Sequence, residues 1–122
     1  MPDQTIDQQI TSAISAHAKW KQRLSAAIRD GNSEFQVAVV AVDNRCPFGE
    51  WLYGQERQLR SAPQYADVRQ LHANFHRCAS QVLELAVSGK PAEATAAMQP
   101  GSEFATTSTA LTLAMSNWRK AT

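Results

Sequence analysis

His17, Cys46, His72 and His76 are the residues whose types could do chemistry together, and they use every histidine in the chain. Neutral imidazole nitrogen and thiolate sulfur are the donors that borderline-soft Zn²⁺ prefers, and three His plus one Cys fill a tetrahedron. A closed tetrahedron leaves no position for substrate, so the set points to a structural or sensing metal rather than a catalytic one. Taken singly, each histidine also reads as a core residue whose ring nitrogens are hydrogen-bonded. The pair His72 and His76 shifts the balance. Two imidazoles one helical turn apart on a buried face each need a partner, and one cation satisfies both.

The elements that must carry these side chains are helical. Ile6, Ile10, Ala13, His17, Trp20, Leu24 and Ala27 recur at alternating spacings of four and three, an apolar seam with His17 in its middle. Asp30-Gly31-Asn32 closes that helix, the glycine being suited to a left-handed cap. Ser33 with Gln36 three residues on is a capping-box pattern, and it predicts a short helix through Val42. The run from Val37 to Val42 has strand propensity, but a lone strand in a helical chain has no partner for its backbone groups.

Pro47 suits the first position of a further helix, which puts Cys46 at its N-cap, where the helix field favours thiolate. Ser61-Ala62-Pro63 opens a long helix to about Ser88, closed by Gly89-Lys90-Pro91. On it His72 and His76 share a face with Val68, Phe75, Ala79, Leu83 and Ala86 and are expected to point inward. Cys78 lies about 200° around the helix from His76, so it reads as a small buried hydrophobe and not as a ligand. A short helix from Pro91 to Met98 and a last helix with Phe104, Ser108, Leu111, Met115 and Trp118 on one face complete the chain. The fold class expected is all-α, four main segments in a bundle with one or two additional short helices, forming one domain over residues 1–122.

Twelve basic and eleven acidic residues give a net charge of +1, which offers no electrostatic reason to bind nucleic acid or an anionic membrane. The opening MPDQTIDQQI is polar and acidic, unlike a signal peptide, and no apolar run is long enough to cross a bilayer. A cytoplasmic location is expected, where Cys46 and Cys78 stay reduced. Glu50 reads as a solvated carboxylate. Trp20, Trp51 and Trp118 read as core or interface anchors.

The segment Cys46-Pro47-Phe48-Gly49-Glu50-Trp51-Leu52-Tyr53-Gly54, with His17-Ala18-Lys19-Trp20 before it and His72-Ala73-Asn74-Phe75-His76 after it, resembles the bacterial chemoreceptor zinc-binding (CZB) domain family. The likeness runs from about His17 to Trp118, with Gly101-Ser102-Glu103-Phe104 fitting the later part. The resemblance implies that His17, Cys46, His72 and His76 bind zinc within one protomer of a homodimeric helical bundle. It also implies a regulatory partner: a soluble chemoreceptor, where such domains sense metal or oxidant, or a diguanylate cyclase, where zinc suppresses cyclic-di-GMP synthesis. These residues contain neither a cyclase catalytic segment nor a long receptor coiled coil, so the output partner is not identified by them.

Three alternatives compete. A zinc hydrolase needs an open metal position and a base, yet HExxH is absent and only Glu50 is a candidate base. A ferritin-like di-iron site needs Glu three residues before His, where Arg69 and Ala73 stand instead. A metal-free dimerisation bundle would leave the histidines as core residues. The reading favoured is a non-enzymatic, zinc-responsive signalling module.

Overall fold

The computed structural model describes residues 5–122; the first four residues of the polar N-terminal stretch lie outside the described residues. Among the described residues seven helices follow one another: α1 (Ile6–Asp30), α2 (Val37–Val40), α3 (Pro47–Gly54), α4 (Glu56–Leu59), α5 (Pro63–Val87), α6 (Pro91–Ala96) and α7 (Glu103–Lys120). No strand occurs among the described residues, so the chain is all-α. No helix among them is long and apolar enough to cross a membrane.

Each long helix begins and ends where local chemistry dictates. Thr5 caps α1 by accepting from the Gln8 N–H, while the Gln8 side chain accepts from the Thr5 N–H, so two otherwise orphaned donors are satisfied. Gly31, at φ 74°, ends α1 and returns its N–H to the Ala27 carbonyl. Pro63 opens α5 and Ser102 caps α7 through the Ala105 N–H.

Helix α5 is the central element, packing against α1, α2, α6 and α7, while α1 also meets α3, α6 and α7. That position explains why α5 buries two faces. The face predicted from the heptad-like spacing, Val68, His72, Phe75, His76, Ala79, Leu83 and Ala86, is buried; so are Tyr65, Cys78 and Val82. Cys78 lies with its Sγ 3.9 Å from Thr107 Oγ1 on α7, away from the other cysteine. The apolar seam of α1 is buried at Ile10, Ala13, His17, Trp20, Leu24 and Ala27, and that of α7 at Phe104, Leu111, Met115 and Trp118.

The connections depart from expectation in three places. Helix α2 covers only Val37–Val40, and its N-cap is Gln36 without a side-chain bond; Ser33 Oγ instead accepts from the Phe35 N–H. A serine hydroxyl two residues back makes a local turn more cheaply than it reaches a helix three residues on. Helix α6 stops at Ala96, short of Met98. The single turn α4 has no signal in the sequence, since Glu56, Arg57 and Gln58 are exposed, Leu59 is only partly buried, and no buried stripe forms.

Candidate metal centre

Three elements bring the four donor side chains together. His17 projects from the middle of α1, Cys46 occupies the N-cap of α3, and His72 and His76 stand one turn apart on α5. One donor atom from each lies within 4.8 Å of all the others. His72 Nε2 is the hub, 3.1 Å from His17 Nε2, 3.1 Å from His76 Nε2 and 3.3 Å from Cys46 Sγ. Donors around a tetrahedral zinc with bonds of about 2.0–2.3 Å stand roughly 3.3–3.6 Å apart, close to this cluster.

Hydrogen bonds to the backbone determine which nitrogen of each ring faces inward. His17 Nδ1–H donates to the Ala13 carbonyl at 2.7 Å, and His76 Nδ1–H donates to the Val40 carbonyl at 3.0 Å. A carbonyl only accepts, so both rings carry their proton on Nδ1 and aim an Nε2 lone pair at the cluster. A proton on His72 Nε2 could be shared with only one of the three acceptors around it. A cation satisfies all of them, and the donor set fits zinc. With His72 Nε2 turned to a cation its proton sits on Nδ1, the one buried side-chain polar atom among the described residues without a hydrogen-bond partner.

The electrostatics favour neutral imidazoles. Burial pushes the His17 pKa down to about 4, aided by the nearby charges of His76 and Arg23 and opposed by the Ala13 carbonyl. Burial also drives His72 down to about 2, with His76 and His17 adding to the shift, and it lowers His76 against the pull of the Val40 carbonyl and Asp43. Rings that resist protonation keep their lone pairs for a metal.

Cys46 behaves differently from the sequence expectation. Its Sγ accepts the Gly49 N–H at 3.3 Å, and the backbone N–H groups of the α3 start do lower its pKa. Burial outweighs them and raises the thiol pKa overall, with Asp43 adding to the rise. The helix end alone therefore does not make a thiolate; a neighbouring cation is needed.

Several residues outside the four hold the cluster in place. Gly49 lies so tightly beneath the Asp43 backbone carbonyl that an added Cβ would collide with it, which locks the turn carrying Cys46 onto α3. Tyr53 OH donates to the Asp43 carboxylate at 2.9 Å, and Tyr65 OH donates to the Leu52 carbonyl at 2.6 Å, tying α3 to that turn and to α5. Phe48 and Phe75 pack edge-on against the imidazoles. Of these, Phe48, Gly49 and Tyr53 lie inside the Cys46–Gly54 segment and Phe75 between His72 and His76, whereas Asp43 and Tyr65 lie outside both; the Ala13 and Val40 carbonyls have no side-chain signature at all.

Glu50 is exposed, and no Asp or Glu among the described residues joins the cluster. Trp51 and Trp118 lie together with ring centroids 6.0 Å apart, whereas Trp20 packs against Phe35, so the three indoles form no cage.

Fold and cluster together define a small helical domain in which three His and one Cys are placed so that they could hold a metal ion. The family model of the chemoreceptor zinc-binding domain matches residues 17–83, more than half of the chain, and the protein belongs to that family. The matched span contains all four donors. It ends within α5, short of the stretch to Trp118 suggested by the resemblance, so α6 and α7 lie outside it. No curated protein and no solved structure matches the chain. The family is one of zinc-binding sensory and regulatory domains, not a catalytic one.

Proposed function

We propose that this chain is a single zinc-responsive regulatory domain in which His17, Cys46, His72 and His76 hold one Zn²⁺. The observation that carries the reading is the convergence of three Nε2 atoms and a thiol, two of the rings having their tautomer set by backbone carbonyls. A bound zinc would supply positive charge that stabilises the Cys46 thiolate and a cross-link between α1, α3 and α5. The chain's own residues do the rest. His17 and His76 relay the state of the cluster to the Ala13 and Val40 carbonyls, and Cys46 relays it to the start of α3.

Cys46 offers a second input. It is only partly buried, and two-electron oxidation of its thiolate by a peroxide to the sulfenate would remove a strong donor and loosen the α3 start. The reading extends to a cytoplasmic homodimer whose output is a chemoreceptor or a diguanylate cyclase. Exposed apolar side chains such as Leu113 on α7, 61% exposed, support association.

Metal analysis of the purified protein tests the proposal. Wild type should carry one zinc per chain, and Cys46→Ala and His72→Ala should each weaken binding by more than about 100-fold, beyond what loss of an outer partner costs. Unchanged zinc content in both variants would overturn the reading.

A further inference from the structure

Beside the donor cluster lies a cavity of about 500 Å³, formed between α1, α2 and the start of α3. Roughly 300–1,000 Å³ is the size of small-molecule sites, which pair apolar walls with a few placed polar groups. This cavity has that make-up. Trp20, Phe35, Val39, Val40 and Phe48 line it, and Ala16 leaves one wall open.

Two cations stand at it, Arg23 and Arg45. No carboxylate among the described residues lies within ion-pair distance of either. The Arg23 guanidinium is held against both aromatic rings of the wall, its Cζ 5.0 Å from the Trp20 centroid and 5.0 Å from that of Phe35. Cation–π contact with two rings restrains the guanidinium, whose N–H groups can pair with a carboxylate in two parallel hydrogen bonds. A partly buried arginine beside an apolar cavity, without a carboxylate in ion-pair distance among the described residues, selects an anion with an apolar body.

We infer that this cavity is a binding site for a small amphipathic carboxylate, its apolar part against Phe35, Val39 and Val40 and its carboxylate on Arg23, with Arg45 adding positive charge. The inference stands on the cavity and its cations and does not depend on metal occupancy. It does bear on the cluster, because His17, Cys46 and His76 line the same cavity and a ligand there would cover the approach to them.

Isothermal titration of the purified full chain with octanoate, octylamine and octanol tests this. Octanoate should bind one per chain, at least about 10-fold more tightly than octylamine, a factor matching one charge-assisted contact. Arg23→Gln should weaken octanoate at least about 10-fold and leave octanol unchanged. Ala16→Phe, at an exposed position on the wall, should abolish binding of all three by filling the space. Val39→Asp, which places a negative charge at the cavity, should also weaken octanoate should the Phe variant fail to fold. Octylamine binding as well as octanoate would overturn the proposal. So would octanoate binding that survives Arg23→Gln but is lost in His72→Ala, since the carboxylate would then be bound at the donor cluster and not at the guanidinium.

Discussion

His17 and His76 give their Nδ1 protons to main-chain carbonyls, and this determines the chemistry of the cluster more than the identity of the rings does. With those tautomers set, the inward nitrogens are lone pairs, and burial keeps them unprotonated down to about pH 4 for His17. The consequence for the metal-free protein has a definite sign. An unfolded histidine takes up its proton near pH 6.5, whereas folded His17 and His72 do so only near 4 and 2, so below 6.5 the unfolded chain binds more protons. Stability is therefore complete above about pH 6.5 and falls as the pH drops towards 4, by about 1.4 kcal/mol per pH unit for each histidine. Urea unfolding of the metal-free protein at pH 7.5, 6 and 5 should show the midpoint falling steadily, above the range in which carboxylates titrate. A flat profile would mean that the imidazoles are not buried as neutral rings.

At the level of elements, α3 is the piece that most needs positioning, because Cys46 sits at its first capping position on a short helix of eight residues. The Asp43 carbonyl presses onto Gly49, and Tyr53 and Tyr65 tie the helix to the preceding turn and to α5. Gly49→Ala should force that turn away, destabilising the fold by about 1–3 kcal/mol and weakening zinc binding, as overpacking of a tight contact does. Gly54→Ala, at a position with open space around it, should change neither. Melting curves and zinc titrations of the two variants compare them directly; equal behaviour would remove Gly49 from the account. Much of this was legible in the sequence. The four-and-three spacing placed His17, His72 and His76 on buried faces, and Cys46-Pro47 marked a helix start, because periodicity and capping are local properties. The Val40 carbonyl under His76, the Asp43–Gly49 approach and the Arg23 cation–π contacts were not legible, since each joins residues brought together only by tertiary packing. Ser33 misled because its hydroxyl found a nearer N–H than the one the capping pattern supplies.

Across the whole molecule, the four donors come from three separate stretches of the chain, and two of them stand on α5, the helix that packs against α1, α2, α6 and α7. A metal there would close long loops between α1, α3 and α5, which would couple binding to folding. Free zinc at about 100 times its Kd should add about 2.7 kcal/mol of stability and raise the Tm by roughly 10 °C, and a strong chelator should reverse it. A Tm indifferent to both would separate the cluster from the stability of the bundle. In the proposed function the same coupling would supply the output, since α2 is attached to the cluster through His76 and Val40, and α3 through Cys46. All of this rests on one coordination shell, which zinc-edge X-ray absorption of the loaded protein reads most directly. Four ligands are expected, three nitrogens at about 2.0–2.1 Å and one sulfur at about 2.3 Å, with the sulfur contribution lost in Cys46→Ala. A shell of nitrogen and oxygen alone, or one unchanged by that substitution, would contradict it.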